Sequence, residues 1–349
     1  MKLLVSVVLV LMVQLGWAQG KIASFAQIDG HVQSVPFSAP DTLAYRLTAP
    51  YATDLEKVRA IFRWITDNIA YNVSIYPRTI RTRSTKYTVE EPYDSIVESK
   101  GLDERIAYSV LRKKVALCNG YARLFKTLCD YAGIRSEVIT GYARSNIGSS
   151  KFKSNHTWNA VLIDSTWHLL DATWASGFLS YGMNEFVRQY NDLYFLTPPQ
   201  QMIRSHYPED LRWSLLPNPP TLHEYRNAPF RPTAFIKYTI KGYKPSSGII
   251  EAAVGDTLHF ELESSDVTKD RNIAADGYYD STLLLGNETW AFVKPQTDGV
   301  QPKTTYTYVV TSPTVGVVHL LYNNDVVLRY RLNVKPKETA TPLYNVSLR

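Results

Sequence analysis

The chain has 349 residues, a formal net charge of +6, and a composition that is 45% hydrophobic and 20% charged. These proportions are typical of a folded globular protein, and they exclude a collagen-like, low-complexity or disulfide-rich scaffold. The length is sufficient for about two domains, each with a core of its own.

The first 18 residues predict a signal peptide. Lys2 is followed by an apolar run from Leu3 to Leu15, which ends in Gly16-Trp17-Ala18. One basic residue, a short apolar core and a small-residue exit are typical of a cleavable secretory signal. The run is shorter than the ~20 residues that a spanning helix needs, and no other segment is apolar enough to span a membrane. We expect cleavage after Ala18, with an uncleaved anchor as the alternative.

The signal peptide determines how the mild positive charge is interpreted. A secreted or periplasmic protein acts in the cell envelope or outside it, so we expect no nucleic-acid partner. No cysteine lies directly after the apolar run, and we therefore do not expect a bacterial lipid anchor. The sequence leaves the oligomeric state open.

Four segments before residue 134 differ in their periodicity. Residues 19–52 are poorly periodic and predict an irregular lead-in. Thr53-Asp54 supplies a helix N-cap, and apolar residues at helical spacing predict a helix over 54–69. A weaker pattern predicts helix within 93–112. A strong helical stripe begins at Cys118 and ends at Gly133, a residue type that often follows a helix C-terminus.

A strand and a hairpin are predicted next. Residues 134–142 have an apolar centre typical of a strand, and a polar loop follows over 145–155. Two apolar runs, 157–163 and 166–170, then flank Asp164-Ser165. Apolar runs around a short turn are typical of a β-hairpin.

The C-terminal third has the pattern of an all-β domain. Residues 217–232 contain five prolines and predict a linker between domains. Short strands separated by turn residues are expected after it, at 234–240, 248–253, 257–262, 281–285, 289–293, 304–311, 316–322 and 326–334. Seven or eight short strands in about 100 residues suggest an immunoglobulin-like β-sandwich over 233–336, followed by a tail over 337–349.

The two cysteines are not expected to form a disulfide. Cys118 and Cys129 are eleven positions apart in one predicted helix. Their Cα atoms would lie roughly 16 Å apart, whereas a disulfide requires less than about 7 Å. Exported proteins commonly pair their cysteines, so an unpaired thiol needs another explanation. For Cys129, in mid-helix, we expect a small buried apolar side chain.

Cys118, His156 and Asp171 have the residue types and positions of a thiol catalytic site. Cys118 opens a helix, whose N-terminal partial charge favours the thiolate. His156 begins the first hairpin strand, and an imidazole there can take up and return the proton. Asp171 follows the second strand, and a carboxylate can orient the imidazole.

The length of the hairpin turn decides whether His156 and Asp171 can meet. A two-residue turn at Asp164-Ser165 pairs position 158 with position 171, and it places Asp171 on the sheet face that carries His156. A three-residue turn would place the carboxylate on the opposite face. The catalytic hypothesis therefore requires an even turn.

These segments resemble a known family, the transglutaminase-like superfamily. The resemblance covers about 53–216, and its downstream motifs are similar to those of the kyphoscoliosis-peptidase subgroup. The matching segments are Val58–Trp64, Ile69–Tyr71, Cys118–Ile134, Gly141-Tyr142, His156–Val161, Trp167–Trp174, Tyr194–Pro199 and His206–Trp213. For His206 and Trp213, packing of the domain's closing segment is the alternative to a functional role.

The resemblance implies a papain-like α+β fold, in which the helix that carries Cys118 packs on an antiparallel sheet. It implies that Cys118 is the nucleophile, His156 the general base and acid, and Asp171 the orienting carboxylate. The candidates for the substrate cleft are Trp158, Trp174, Tyr121 and Asn119. The sequence does not identify the oxyanion donor. The amide of Cys118 is a generic candidate, and the side-chain donor could be any polar or Trp residue upstream of it, with Trp64 as one example.

The family includes transglutaminases, proteases, peptide N-glycanases and members without proven catalysis, and the fold does not choose among them. The chain lacks paired CxxC motifs and acidic loops with EF-hand spacing, so we expect no metal and no cofactor. We expect an activity that forms an acyl-enzyme from a protein or peptide substrate. A component of the cell envelope is one candidate for that substrate. The alternative is a non-catalytic scaffold of the envelope.

Overall fold

The structure is a computed structural model that describes residues 23–75, 100–144, 154–180, 185–265, 289–296 and 302–335. The predicted signal peptide, the predicted strand at 281–285 and the predicted tail lie outside these residues. Within the described part, no helix is long and apolar enough to cross a membrane.

The α-helices span Phe25–Val32, Pro40–Thr48, Asp54–Asn68, Leu102–Lys113, Cys118–Tyr131, Ala172–Ser176, Pro199–Met202, Leu222–Asn227 and Thr233–Lys237. Short 3-10 helices span Val73–Ile75, Asp192–Tyr194 and Leu211–Ser214. We call Cys118–Tyr131 the cysteine helix.

The strands of the first half are β1 (Ala70–Tyr71), β2 (Val115–Ala116), β3 (Ser136–Ala143), β4 (His156–Ile163), β5 (Thr166–Leu170), β6 (Gly177–Leu179), β7 (Phe186–Arg188) and β8 (His206–Pro208). Those of the second half are β9 (Ile240–Lys244), β10 (Ile249–Ala253), β11 (Thr257–Ser264), β12 (Thr289–Val293), β13 (Lys303–Val309), β14 (Val315–Tyr322) and β15 (Asp325–Lys335).

The central sheet of the N-terminal region has the strand order β5-β4-β3-β8, and every neighbouring pair is antiparallel. The cysteine helix packs on one face of this sheet, where its residues share a core with Val161, Ile163 and Leu170. The Asn159 side chain joins the two layers, because its Nδ2 donates to Ala122 O of the helix at 3.0 Å. The expected α+β arrangement of a cysteine-bearing helix on an antiparallel sheet is confirmed.

The hairpin has the even turn that the sequence predicted. Ile163 pairs with Thr166 and Asn159 with Leu170, so Asp164 and Ser165 alone form the turn. Both turn residues have positive φ, 46° and 62°. A tight turn with two left-handed residues matches the twist of the flanking strands and fixes the register.

The predicted helix at 54–69 is confirmed as Asp54–Asn68. Thr53 is its N-cap and forms a capping box with Glu56. The weaker pattern at 93–112 corresponds to Leu102–Lys113, and residues 93–99 lie outside the described part of the chain. The helical stripe from Cys118 ends at Ala132, followed by Gly133 with φ of 72°.

The lead-in differs from its prediction, because 23–52 contains two helices and not irregular chain. Ser24 caps the first helix through a capping box with Gln27. Pro40 opens the second helix, where its missing N–H leaves no helical hydrogen bond unmade. The predicted linker also contains a helix, Leu222–Asn227, with a capping box at Thr221.

The C-terminal region contains two sheets, with strand orders β10-β15-β14-β12 and β13-β11-β9. Strands of both sheets contribute to one apolar cluster, which includes Phe260, Tyr306, Leu320 and Leu328. The strand predicted at 234–240 is wrong. Residues Thr233–Lys237 form a helix after Pro232, and the strand begins at Ile240. A short apolar run does not distinguish the two structures by its period.

Candidate active site

Cys118 lies at the N-terminus of the cysteine helix. The preceding N-cap, Leu117, provides no side-chain hydrogen bond to the first turn, so the helix N-terminus faces the thiol without a competing cap. The thiol is half-buried and forms no disulfide. Burial raises the pKa of the thiol, but the hydrogen bond and the charge of His156 lower it by more. The net pKa therefore lies below the ordinary value of a cysteine.

His156 and Asp171 are in direct contact. His156 Nε2 is 2.7 Å from Asp171 Oδ2. His156 is also hydrogen-bonded to Cys118, and since Nε2 is engaged by the carboxylate, Nδ1 is the ring nitrogen left for the thiol. Burial lowers the pKa of His156, but the charge and hydrogen bond of Asp171 outweigh it and raise the pKa to about 10. The imidazole is therefore held as the cation near neutral pH.

Asp171 is fixed by its backbone surroundings as well as by His156. It is the N-cap of the helix Ala172–Ser176, where its Oδ1 accepts from Thr173 N at 2.8 Å and Trp174 N at 3.1 Å. Its side chain is almost completely buried. Burial raises its pKa, but the imidazole charge and the hydrogen bonds lower it well below the usual range of an aspartate. The carboxylate is thus ionised and oriented.

A third side chain, His206, also reaches Asp171. His206 Nε2 lies 3.0 Å from the same Oδ2, and its Nδ1 lies 2.9 Å from Ser205 Oγ. The sequence motif that contains His206 does not by itself predict this contact with Asp171. The other residue of that motif, Trp213, packs edge-on against Trp167 at 5.1 Å, as its packing alternative expected.

Aromatic rings surround the two imidazoles. The centroid of Trp174 lies 5.6 Å from that of His156 and 4.5 Å from that of His206. Trp158 stacks 6.0 Å from His156 and is 1% exposed. Of these neighbours, Cys118 and Trp174 retain partial exposure. The site is therefore open on the side of Cys118 and Trp174. Trp158 is buried behind the imidazole, so its assignment to the substrate cleft is wrong.

The remaining predicted residues have different positions. Tyr121 is 1% exposed, and its hydroxyl donates to Ile69 O at 2.7 Å, so its assignment to the substrate cleft is wrong. Asn119 is half-buried beside Cys118, and its Oδ1 accepts from Arg123 Nε at 2.9 Å. Trp64 is wrong as an oxyanion donor, because its indole N–H donates to Val35 O at 2.8 Å inside the core.

Among the described residues, His156, Asp171 and His206 are the group whose ligand atoms lie close enough to hold a metal ion. Two ligand atoms around a tetrahedral zinc are about 3.3 Å apart. The 2.7 Å between His156 and Asp171 is shorter and is the length of a charge-assisted hydrogen bond. Hydrogen bonds therefore account for this cluster.

The comparisons with known proteins agree with the motifs. The family description "Transglutaminase-like superfamily" matches residues 41–172, a range that contains Cys118, His156 and Asp171. Residues 41–172 are a transglutaminase-like domain. This confirms the resemblance, and the match begins within the segment that had been predicted to be an irregular lead-in.

Two curated relatives are similar to this chain over part of their length. The chain is 30% identical over 239 residues to kyphoscoliosis peptidase of Homo sapiens, which covers 67% of this chain and 33% of the relative. It is 32% identical over 214 residues to hillarin of Drosophila melanogaster, which covers 56% of this chain and 23% of the relative. The chain spans about a third or less of these relatives, so the similarity concerns a part of each.

A solved structure, the periplasmic domain of TgpA from Pseudomonas aeruginosa, is 16% identical and covers 43% of this chain and 48% of its own. Its TM-score is 0.27. The assignment of the transglutaminase-like domain therefore rests on the family match and on the topology described above.

Proposed function

We propose that the transglutaminase-like domain is a thiol enzyme that forms an acyl-enzyme at Cys118. The observation that carries the proposal is the contact of His156 Nε2 with Asp171 Oδ2 at 2.7 Å, on an imidazole that lowers the pKa of the Cys118 thiol. This arrangement favours a thiolate–imidazolium pair near neutral pH. A thiolate is the nucleophilic form of cysteine.

The geometry supports the following steps. Cys118 Sγ attacks the carbonyl carbon of an amide, and the carbonyl electrons move to its oxygen. The tetrahedral species collapses, the amine leaves with the proton from His156 Nδ1, and a thioester remains on Cys118. Water or a second amine then attacks the thioester while His156 Nδ1 takes its proton. Sγ leaves as the thiolate, and the product is an acid or a new amide.

The first test is the pH dependence of alkylation. Iodoacetamide is expected to modify Cys118 at pH 7 far faster than Cys129, at a rate that reaches its plateau below the ordinary thiol pKa. Iodoacetate, whose carboxylate is attracted by the imidazolium, should in addition react more slowly above about pH 10, where His156 loses its proton. A Cys129→Ala variant isolates the signal of Cys118. Equal and slow modification of both thiols in the folded wild type would refute the nucleophile assignment.

The second test concerns the fate of the thioester. A peptide amide is incubated with the protein, the adduct on Cys118 is measured by mass spectrometry, and a primary amine is then added. Release of acid alone supports a peptidase or amidase, and incorporation of the amine supports transamidation. Cys118→Ala is the matched control, and an adduct that persists in that variant contradicts the mechanism.

A non-catalytic scaffold is the second candidate function. The observation that favours it is the burial of His156, which is 8% exposed, and of Asp171, which is 0% exposed. In a scaffold these groups would stabilise the fold. A Cys118→Ala variant separates the candidates: full retention of the biological function supports the scaffold, and its loss with an unchanged unfolding curve supports catalysis.

The proposed setting is the cell exterior or periplasm, with a protein or peptide of the envelope as substrate and no nucleic-acid partner. The support is the N-terminal apolar run, so the exported chain should begin at Gln19 when its N-terminus is sequenced. We also propose that the two C-terminal sheets form an immunoglobulin-like domain that contacts the partner. An experimental structure with another strand topology would contradict that part.

A further inference from the structure

Among the described residues, His206 is a buried titratable group that contacts Asp171 and has no role in the proposed mechanism. It comes from β8, which joins the central sheet beside β3, with His206 paired to Ala143. This pairing places the second imidazole against Asp171, opposite His156 in the aromatic surroundings. The side chain of His206 is 0% exposed, so it contacts neither solvent nor substrate.

Asp171 has its full set of hydrogen bonds only when His206 is included. Oδ1 accepts from two backbone amides, and Oδ2 accepts from the two imidazoles at 2.7 and 3.0 Å. A carboxylate offers about four acceptor positions. His156 therefore shares its acceptor oxygen with a second donor, and the second donor draws electron density from the oxygen that binds the first.

The surroundings of His206 favour its neutral form. The titratable groups that face it are Asp171 and His156, and the other packed groups are the rings of Trp158, Trp174 and Tyr194 and the hydroxyl of Ser205. Burial and the charge of His156 lower the pKa of His206, although Asp171 opposes them. With Nδ1 accepting from Ser205, the ring keeps its proton on Nε2 and donates it to Asp171.

We propose that His206 is a positioning residue, a neutral imidazole that holds the Asp171 carboxylate and, by sharing Oδ2, limits the basicity of His156. This inference rests on the proposed function of the site. A cation at His156 whose proton is held too strongly is a poor acid toward the leaving amine. Sharing of the acceptor keeps that proton available.

The test is the alkaline limb of Cys118 alkylation by iodoacetate, the fall in rate that follows when His156 no longer carries the positive charge that attracts the reagent's carboxylate. It is measured on the full chain in a Cys129→Ala background. His206→Leu removes the donor and retains the volume, so the limb, which reports loss of the His156 proton, should move about one pH unit upward. His206→Gln keeps an N–H near the position of Nε2 and should restore the limb. A purely structural role would change the unfolding curve but not this limb.

Ser205→Ala provides a milder second variant that keeps the imidazole. Without the hydroxyl, His206 is no longer held in the tautomer that carries its proton on Nε2. The limb should therefore move upward by a smaller amount than in His206→Leu. An unmoved or lowered limb in the folded variants overturns the role of His206, and if His206→Leu does not fold, Ser205→Ala decides alone. Slow alkylation of Cys118 in the parent protein would instead overturn the proposed function, so the two failures are distinct.

Discussion

The two cysteines lie on one helix and have opposite properties. Cys118, at the N-terminus, is half-buried beside an imidazolium, and its pKa is lowered. Cys129, three turns along, is 0% exposed among apolar side chains, and burial raises its pKa. Residue type and helix are the same at both positions. The acid–base behaviour of a thiol is therefore set by its few neighbours. Removal of the neighbours of Cys118 should make its reactivity similar to that of Cys129.

The largest expected effect follows the loss of the imidazole. In His156→Ala, burial continues to raise the pKa of Cys118 while its cationic partner is gone. Alkylation of Cys118 at pH 7 should fall about 100-fold or more, toward the rate of Cys129. His168→Ala is the matched control, because His168 lies on the opposite face of the hairpin from Asp171. A rate in His156→Ala that equals the wild type contradicts the assigned partnership.

Substitution of the carboxylate should act through His156. Asp171→Asn retains the acceptor oxygen for the helix cap but removes the charge that raises the pKa of His156. The imidazole then loses its proton below the wild-type value of about 10, so the upper edge of the pH range in which iodoacetate reacts fast with Cys118 moves downward. Turnover should fall by about 10²–10⁴. An upper edge that stays in place would exclude Asp171 as the source of the shift.

Cys129 should affect stability and leave reactivity unchanged. Cys129→Ala leaves a small void in the core and should lower the free energy of unfolding by about 1–2 kcal/mol. The rate of Cys118 alkylation should remain that of the wild type. Urea unfolding measures the first quantity and iodoacetamide the second, and a change in Cys118 reactivity would mean that the two ends of the helix are coupled.

The smallest expected effect is at an exposed ion pair near Cys129. Lys126 Nζ lies 3.0 Å from Asp130 Oδ1, one helical turn away. Exposed pairs of this kind contribute about 0.3–0.5 kcal/mol. Lys126→Ala should therefore change the free energy of unfolding by less than about 1 kcal/mol and leave the pH profile of Cys118 unchanged. A larger loss would show that its contact with Ser136 O also supports the helix.

The length of the hairpin turn is sufficient to predict that His156 and Asp171 meet. The two-residue turn fixes the register, and the register fixes the face of each side chain. His206 depends on a different kind of information. Its strand pairs with β3 across more than 60 residues of sequence, and no period within the chain encodes that pairing. The missed contact is therefore long-range, whereas the predicted one is local.

Other errors have local causes. The signal for the first helix was present, since Ser24 and Gln27 have the spacing of a capping box, but the helix is only eight residues long and its apolar period is weak. Residue type alone suggests Trp64 as an oxyanion donor. Its position on a helix with nearly all neighbours buried determines that its indole bonds within the core.

Asp171 has two separate roles, because the same side chain caps a helix N-terminus and binds the imidazoles. Its replacement is harmful even in a chain that catalyses nothing. Retention of an aspartate at this position in a related protein is consequently poor proof of activity. Cys118 caps no helix and forms no disulfide, so selection for folding alone would not preserve a cysteine at this position. The sulfur is the more informative position for judging which relatives still work as enzymes.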